Sequence, residues 1–332
     1  MESSAPLPGM PDYRDRHTGL IIFGVFAILI GTLCALVAPL AFFGQIMAAR
    51  RLGTEFDMSA ALLGAVVYAL MAVVLVWLGV GSVLARRWAR TLLLCLGWIG
   101  LAIGVVAMPA VFLTMNSIGD TLRVHGQEVH PLTVAVIKFF ALMITCVIYI
   151  VIPGVAVLFY RSSHVRRTCE ARDPVERWTD RCPVPVLALC LIQGFAAVML
   201  LLILPLYGRV FPFAGVVLQG WSARLLWLAL AAFMGFAAWG FYRLNPRMWW
   251  AYTAVTVLVW TSSLLTIGRV GLIELYRQMG MPERQLEIMA ASPLLRHGII
   301  VWLSALSMGV FLAYLIYLRR YFGLAKDRPA VA

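Results

Sequence analysis

Side chains able to do chemistry are sparse in this sequence, and each must be weighed against a plainer role. Lys138 is the one clear ionisable candidate within the long apolar runs, which hold no Asp or Glu. A charge in lipid is costly and marks a site by default. Lys138, however, lies about two turns from the end of its run, close enough for its stem to snorkel to the surface. Snorkelling is the reading adopted, because the matching stretch of the second half is the apolar Ile299-Ile300-Val301. Without carboxylates in the runs, neither a proton relay nor a di-metal site is expected there.

The candidate metal ligands stand in the connections between the apolar runs. His125, Glu128 and His130 lie close together, but their spacing fits no helical zinc motif. The alternating residues around Gly126, from Thr121 to His130, fit a small β-hairpin better. In the longest polar connection stand His164, Cys169 and Cys182. A closed zinc site needs four ligands at tighter spacing, and His17 supplies the fourth only if the N-terminal segment folds back. No metal and no cofactor are therefore expected, with His164, Cys169 and Cys182 as the candidates should one bind. A membrane enzyme would need His17, His164 and Cys169 or Asp180 to converge. Cys34, Cys95, Cys146 and Cys190 lie in apolar runs, where a thiol behaves as a small hydrophobe. The sequence contains no phosphate-binding loop, dinucleotide glycine pattern, nucleophile elbow or metalloprotease helix. No enzymatic activity is expected.

The elements that carry these residues follow from composition. Of 332 residues 62% are hydrophobic and 13% charged, with a mean hydropathy of +0.91. Soluble domains carry about 25% charged residues, so a cytosolic enzyme, a secreted disulfide scaffold and a disordered tail are excluded. A bilayer core about 30 Å thick needs roughly 20 apolar residues per crossing, and each crossing must be helical because lipid offers the backbone no partner. Eight such runs are present, over approximately 19–46, 60–84, 91–114, 132–159, 184–206, 222–243, 248–268 and 298–318. The expected fold is an all-α polytopic membrane bundle. The first run exceeds the roughly 7–15 residues of a signal-peptide core and is expected to be retained. Pro39 and Pro205 are expected to end their spans, Pro153-Gly154 to kink the fourth, and the patch around Phe211-Pro212-Phe213 to form an interfacial loop.

The net charge of +12 is dispersed in short runs between spans, such as Arg50-Arg51, Arg86-Arg87 and Arg319-Arg320. That is the pattern of membrane topology rather than of a nucleic-acid face. Alternate connections carry Arg14 and Arg16, then Arg86, Arg87 and Arg90, and then the linker arginines 161, 166, 167, 172, 177 and 181. Arg243, Arg247, Arg319, Arg320, Lys326 and Arg328 continue the same side, which places both termini in the cytoplasm. The linker run Asp173–Arg181 reads as an ordered strap with Trp178 at the membrane surface and arginines facing anionic headgroups.

Comparison of the chain with itself indicates a duplication. Trp77, Trp88 and Trp98 fall on Trp239, Trp250 and Trp260 at a shift of 162, with Ala89 on Ala251, Thr91 on Thr253 and Pro131-Leu132 on Pro293-Leu294. Pro39-Leu40 matches Pro205-Leu206 at a shift of 166. Two parallel four-helix repeats follow, since an even number of spans returns each unit to the same side. The organisation is a tail (1–18), a first repeat (19–160), a cytoplasmic linker (161–183), a second repeat (184–320) and a C-terminal tail (321–332). Gly100 and Gly104 have the small-xxx-small spacing of a helix contact, and their shifted counterparts Ser262 and Thr266 are read likewise. Ile273–Ala291 reads as two short helices, with Gly280 ending one and Pro282-Glu283 opening the next.

The functional expectation is a multi-pass protein of the cell (inner) membrane that packs with lipid, with another membrane protein or with itself, and binds no nucleic acid. The alternative is a transporter or flippase for an apolar or amphiphilic solute, with Tyr68, Tyr149 and Gln193 lining a cavity between the repeats. The orientation is directly testable. Reporters fused at the two chain ends should both resist labelling from outside intact cells; labelling of both would reverse the charge argument, and labelling of one alone would contradict an even number of spans.

Overall fold

The computed structural model describes residues 14–52, 58–124, 131–281, 283–290 and 297–323. Its long helices are α1 (His17–Leu52), α2 (Met58–Val83), α3 (Arg87–Val124) and α4 (Pro131–Cys146), the last continued through a π-helical turn (Val147–Val151) into α5 (Ile152–Arg161). A short α6 (Ser163–Arg172) and a 3-10 turn (Trp178–Asp180) follow. The second half comprises α7 (Val184–Tyr207), strands β1 (Val210–Phe213) and β2 (Val216–Gln219), α8 (Trp221–Tyr242), α9 (Pro246–Val270), α10 (Leu272–Gln278), α11 (Glu283–Ala290) and α12 (His297–Gly323). Eight helical segments among the described residues are long and apolar enough to cross a bilayer. They coincide with the eight runs read from the sequence, and α10 and α11 fall where two short helices are expected.

Three local expectations are corrected. Pro39 lies inside α1, which continues to Leu52; a proline is tolerated in a lipid-embedded helix where neighbouring groups compensate for its missing N–H. Residues 121–124 belong to α3 rather than to a hairpin, as no proline interrupts 110–124, and His125, Glu128 and His130 lie outside the described residues. The patch at Phe211–Phe213 is strand rather than loop. It pairs antiparallel with β2, Val210 opposite Gln219, around a two-residue turn. Ala214 (φ 48°) and Gly215 (φ 86°) are both left-handed, the turn whose twist suits a hairpin.

Close packing forms two compact units. One gathers α1, most of α2, the first turns of α3, most of α5, and α6 with the strap to Arg181. In it α1 and α2 meet through glycines. A Cβ on Gly24 would lie 2.7 Å from the Gly79 carbonyl oxygen, and one on Gly79 would lie 2.6 Å from that of Gly24. Without side chains there, the backbones approach closely enough to substitute dispersion contact for the missing hydrophobic drive between helices in lipid. The buried Ser82 hydroxyl donates to the Leu20 carbonyl (3.0 Å) and shares a 2.8 Å hydrogen bond with the Tyr160 hydroxyl. Phe23 stacks on Phe159, and Trp77 stacks on Trp88 across the α2–α3 turn.

The other unit holds residues 95–154 and 182 onward, so packing divides the chain differently from the sequence halves. Here Gly100 faces Pro153, and Gly104 lies on the backbone carbonyl of Tyr149. Pro153 has no N–H to offer the preceding turn, and the helix widens there, Ile152 N–H bonding Val147 five residues back. The expected kink is thus a π turn against which α3 packs. Elsewhere the Trp249 indole donates to the Leu315 carbonyl (2.9 Å) and the Tyr314 hydroxyl to that of Pro185 (2.7 Å).

The α2–α3 and α8–α9 turns share one geometry, with Ala85 (φ 52°) and Leu244 (φ 54°) in corresponding positions. These residues are 159 apart, three fewer than the tryptophan shift. Ser82 bonds Tyr160 in the first half, and Phe241 meets Phe322 edge-on in the second.

Close approach at Gly104 should be sensitive to one methyl group. A Cβ there would sit 2.6 Å from the Tyr149 oxygen, so Gly104→Ala should lose about 1–3 kcal/mol by overpacking. Gly268→Ala, with nothing within 4 Å, should be neutral or gain up to about 1 kcal/mol from helix propensity. Thermal midpoints of both variants in detergent check the contrast.

Candidate functional site

Successive turns of α9 place Tyr252, Val255, Thr256, Val259, Trp260 and Ser263 on one helical face. With Leu230, Phe233 and Met234 of α8 and Phe311 of α12, this face encloses a groove of about 310 Å³. That volume is at the lower end for small-molecule sites, roughly 300–1,000 Å³. Its walls are aromatic: Phe233 lies parallel to Tyr252 at 6.2 Å between centroids, and Phe311 presents its edge to Tyr252 and Trp260. No charged residue lines it.

Polar groups collect on the same face. The Tyr252 hydroxyl interacts with the side chains of Thr256 and of Gln193 on α7. Gln193 is 3% exposed, and its Oε1 has no hydrogen-bond partner among the described residues. Three threonine hydroxyls elsewhere on α9 bond their own helix: Thr253 donates to Trp249 (2.8 Å), Thr261 to Val257 (2.7 Å) and Thr266 to Ser262 (2.9 Å). Ser263, which lines the groove, makes no hydrogen bond among the described residues. A buried polar atom left unmet costs about 1–3 kcal/mol, so Gln193 Oε1 stands out among the groups around Tyr252.

The remaining sequence candidates fall elsewhere. Tyr149 is exposed on the π turn and Lys138 half-buried on α4, and neither lines the groove. Tyr68 is exposed on α2 in the first unit. Ser262 and Thr266 meet a hairpin rather than a helix: their side-chain oxygens accept from the Ala214 N–H (2.7 Å) and the Gly215 N–H (3.0 Å). The small-residue reading therefore needs correction at these two positions, because a hydroxyl beside an irregular turn finds free N–H donors that a packed helix lacks.

The first unit carries a charged cluster. Asp173, 2% exposed, accepts from Arg177 (3.1 Å) and from the Arg87 N–H (3.4 Å) at the start of α3, with Arg86 at 3.8 Å. Arg87 also reaches Glu170 (3.6 Å) and Asp180 (3.9 Å). The carboxylate beside the first N–H groups of α3 satisfies donors that no helical carbonyl can reach. Asp173 thereby ties the strap to the helix end. The N-terminal segment does fold onto α6, with Arg14 N–H donating to His164 Nδ1 (3.3 Å) and Arg16 N–H to the Thr168 hydroxyl (3.1 Å).

No set of three metal-ligating side chains suited to an ion occurs among the described residues. Cys169 lies beside Arg90, and burial pushes its thiol up to about 11 despite that cation. A thiol so placed is unreactive. Cys182 instead belongs to the second unit, where it meets Cys190, with Cys95 nearby. This grouping of three thiols from α3 and the start of α7 was not read from the sequence, since apolar-run cysteines carry no spacing signal.

No protein-family model, curated protein or solved structure matches the chain.

Removal of Asp173 should loosen the strap. Burial alone would raise its carboxyl, but the hydrogen bonds from Arg177 and the Arg87 N–H hold it below the usual carboxylate range. A depressed native value means this stabilisation is complete above the unfolded value near 3.8 and is lost as pH falls through the lower native one. The side chains paired with it, Arg86 and Arg177, are more than a third exposed, so Asp173→Asn should cost only about 1–2 kcal/mol. Hydrogen exchange over 173–181 should quicken in the variant at pH 7 and become indistinguishable from the parent at the acid extreme.

Proposed function

We propose that the chain is a non-catalytic multi-pass protein of the cell (inner) membrane, with both termini cytoplasmic, that acts by packing with lipid and with a membrane partner or a second copy. The observation carrying this reading is the exposure of its spans. Within the most apolar stretch of α12 only 6% of residues are buried, and in the span from α4 to α5 only 11%. Large side chains on α12, including Leu306 and Val310, are exposed, and such surfaces need lipid or protein against them.

The exposed arginines of α6 support contact with anionic headgroups. Arg166 and Arg172 are exposed there beside Glu170 and Asp15, and juxtamembrane arginines attract acidic lipid by about 1 kcal/mol each. Tandem duplication is supported by the three tryptophans matched at a shift of 162, a register that the α2–α3 and α8–α9 turns, matched at 159, do not share. A second reading, movement of an apolar or amphiphilic solute, is favoured by the aromatic groove with its unmet polar groups.

A photo-crosslinking residue at Leu306 or Val310, activated in native membranes, tests the packing reading. One discrete protein adduct, to a second copy or a single partner, is expected. Lipid-sized adducts alone, together with a monomeric mass on release from the membrane, would overturn it.

A further inference from the structure

We propose that the junction of α3, α6 and the strap binds a phosphate monoester, carried either on a lipid headgroup or on a soluble molecule. This goes beyond a general attraction of acidic lipid to α6 by assigning a discrete site, and rests on that reading only for its lipid source.

The junction concentrates unmet donors. Five buried side-chain polar atoms have no hydrogen-bond partner among the described residues, and four lie here: Nε of Arg87, Arg90 and Arg177, and Oγ1 of Thr179. Water cannot satisfy atoms sealed from it, and each such group in a native fold calls for an explanation. Three cationic groups and a hydroxyl unmet at one place are explained by an anion. Thr179 is 1% exposed and stands one residue from Asp180, whose carboxylate lies 3.9 Å from Arg87. Arg87 and Arg90, three residues apart on α3, share a helical face with about 5–6 Å between their Cβ atoms, so one tetrahedral anion can reach both. The Arg87 N–H is already taken by Asp173, so side chains make the site.

Charge selects the anion. Arg86, Arg87, Arg90, Arg166 and Arg177 gather around Glu170, Asp173 and Asp180, which leaves two positive charges over. Arg90, half-buried, is the one of these arginines with neither an ion pair nor a side-chain hydrogen bond among the described residues. Taking a charge out of water is costly unless it is paired. A phosphate monoester carries about −1.5 to −2 at neutral pH and three strong acceptor oxygens, which matches the excess charge and the forked donors of arginine. Chloride or a monocarboxylate would leave a positive charge unmet. The side chains of Arg87 and Arg177 keep 16% and 38% of their surface exposed, so the anion enters from the aqueous side and meets the sealed Nε groups as the guanidiniums turn.

The test uses the full chain in phosphatidylcholine nanodiscs, with inorganic phosphate added at constant ionic strength in one arm and phosphatidic acid in the bilayer in the other. A saturable rise in the thermal midpoint of the parent is expected. A rise with phosphate alone identifies a soluble ligand, one with phosphatidic acid alone a headgroup, and one in both arms a site open to either. Arg90→Gln should raise the half-saturating amount about tenfold or more and Thr179→Val about fivefold. Without phosphate neither variant should lower the midpoint, because each removes an unmet group, whereas loss of a merely structural side chain would lower it. If Arg90→Gln does not fold, the response of Thr179→Val decides. No rise in either arm, an undiminished rise in folded Arg90→Gln, or a lowered midpoint of both variants without phosphate would overturn the proposal. An equal rise with phosphatidylserine, lost in Arg166→Gln with Arg172→Gln but kept in Arg90→Gln, would overturn the site and leave the α6 headgroup reading standing.

Discussion

Every backbone amide in a lipid-facing segment must find its partner within the segment, and the architecture follows from that constraint. Eight apolar stretches become helices because no other conformation closes their hydrogen bonds in hydrocarbon. Where a donor is missing, the chain makes a local repair. At Pro153 the helix widens into a π turn, and Gly104 comes to rest on the Tyr149 carbonyl. Irregular backbone at the hairpin is treated likewise: Ser262 and Thr266 accept from the two N–H groups of its turn.

With the backbone satisfied, contact between helices depends on how closely they can approach. The drive that buries apolar surface in water is absent between helices in lipid. Close packing is instead concentrated where side chains are lacking, as at Gly24 against Gly79 and at Gly100 and Gly104 against the π turn. Side-chain hydrogen bonds to backbone carbonyls supplement it, from Ser82, Trp249 and Tyr314. Charge has a separate task. Asp173 and its arginines pin the strap to the start of α3 outside the apolar runs.

Much of the fold was legible in the sequence because hydropathy and length are properties of each segment alone. The eight spans, the two short helices around Gly280 and the interruption at Pro153-Gly154 were read in this way. The limits of α1 and α3 were not, since Pro39 ends a helix in water more readily than in lipid, and nothing before Val124 forces a stop. The hairpin at 210–219 carried a readable signal in Ala214-Gly215 between apolar strands, masked by Pro212. The site was legible only in part. Gln193 was singled out as a polar group in an apolar run, but its neighbour Tyr252 comes from a different helix, and no spacing rule links them. Tyr68 and Tyr149 were chosen on the same grounds, yet lie exposed. The Cys182 thiol comes beside Cys190, with Cys95 nearby, through tertiary packing that single-segment reasoning does not see.

The groove on α9 and the exposed faces of α12 gain meaning only if lipid surrounds the helices. Hydrogen exchange of the full chain in nanodiscs, read span by span, is the most direct measure of this. Eight strongly protected windows at the apolar segments, including the least hydropathic one at 246–270, separated by exchanging connections, are the result this account predicts. Exchange across 246–270 or any other span at the rate of a helix in water would contradict it.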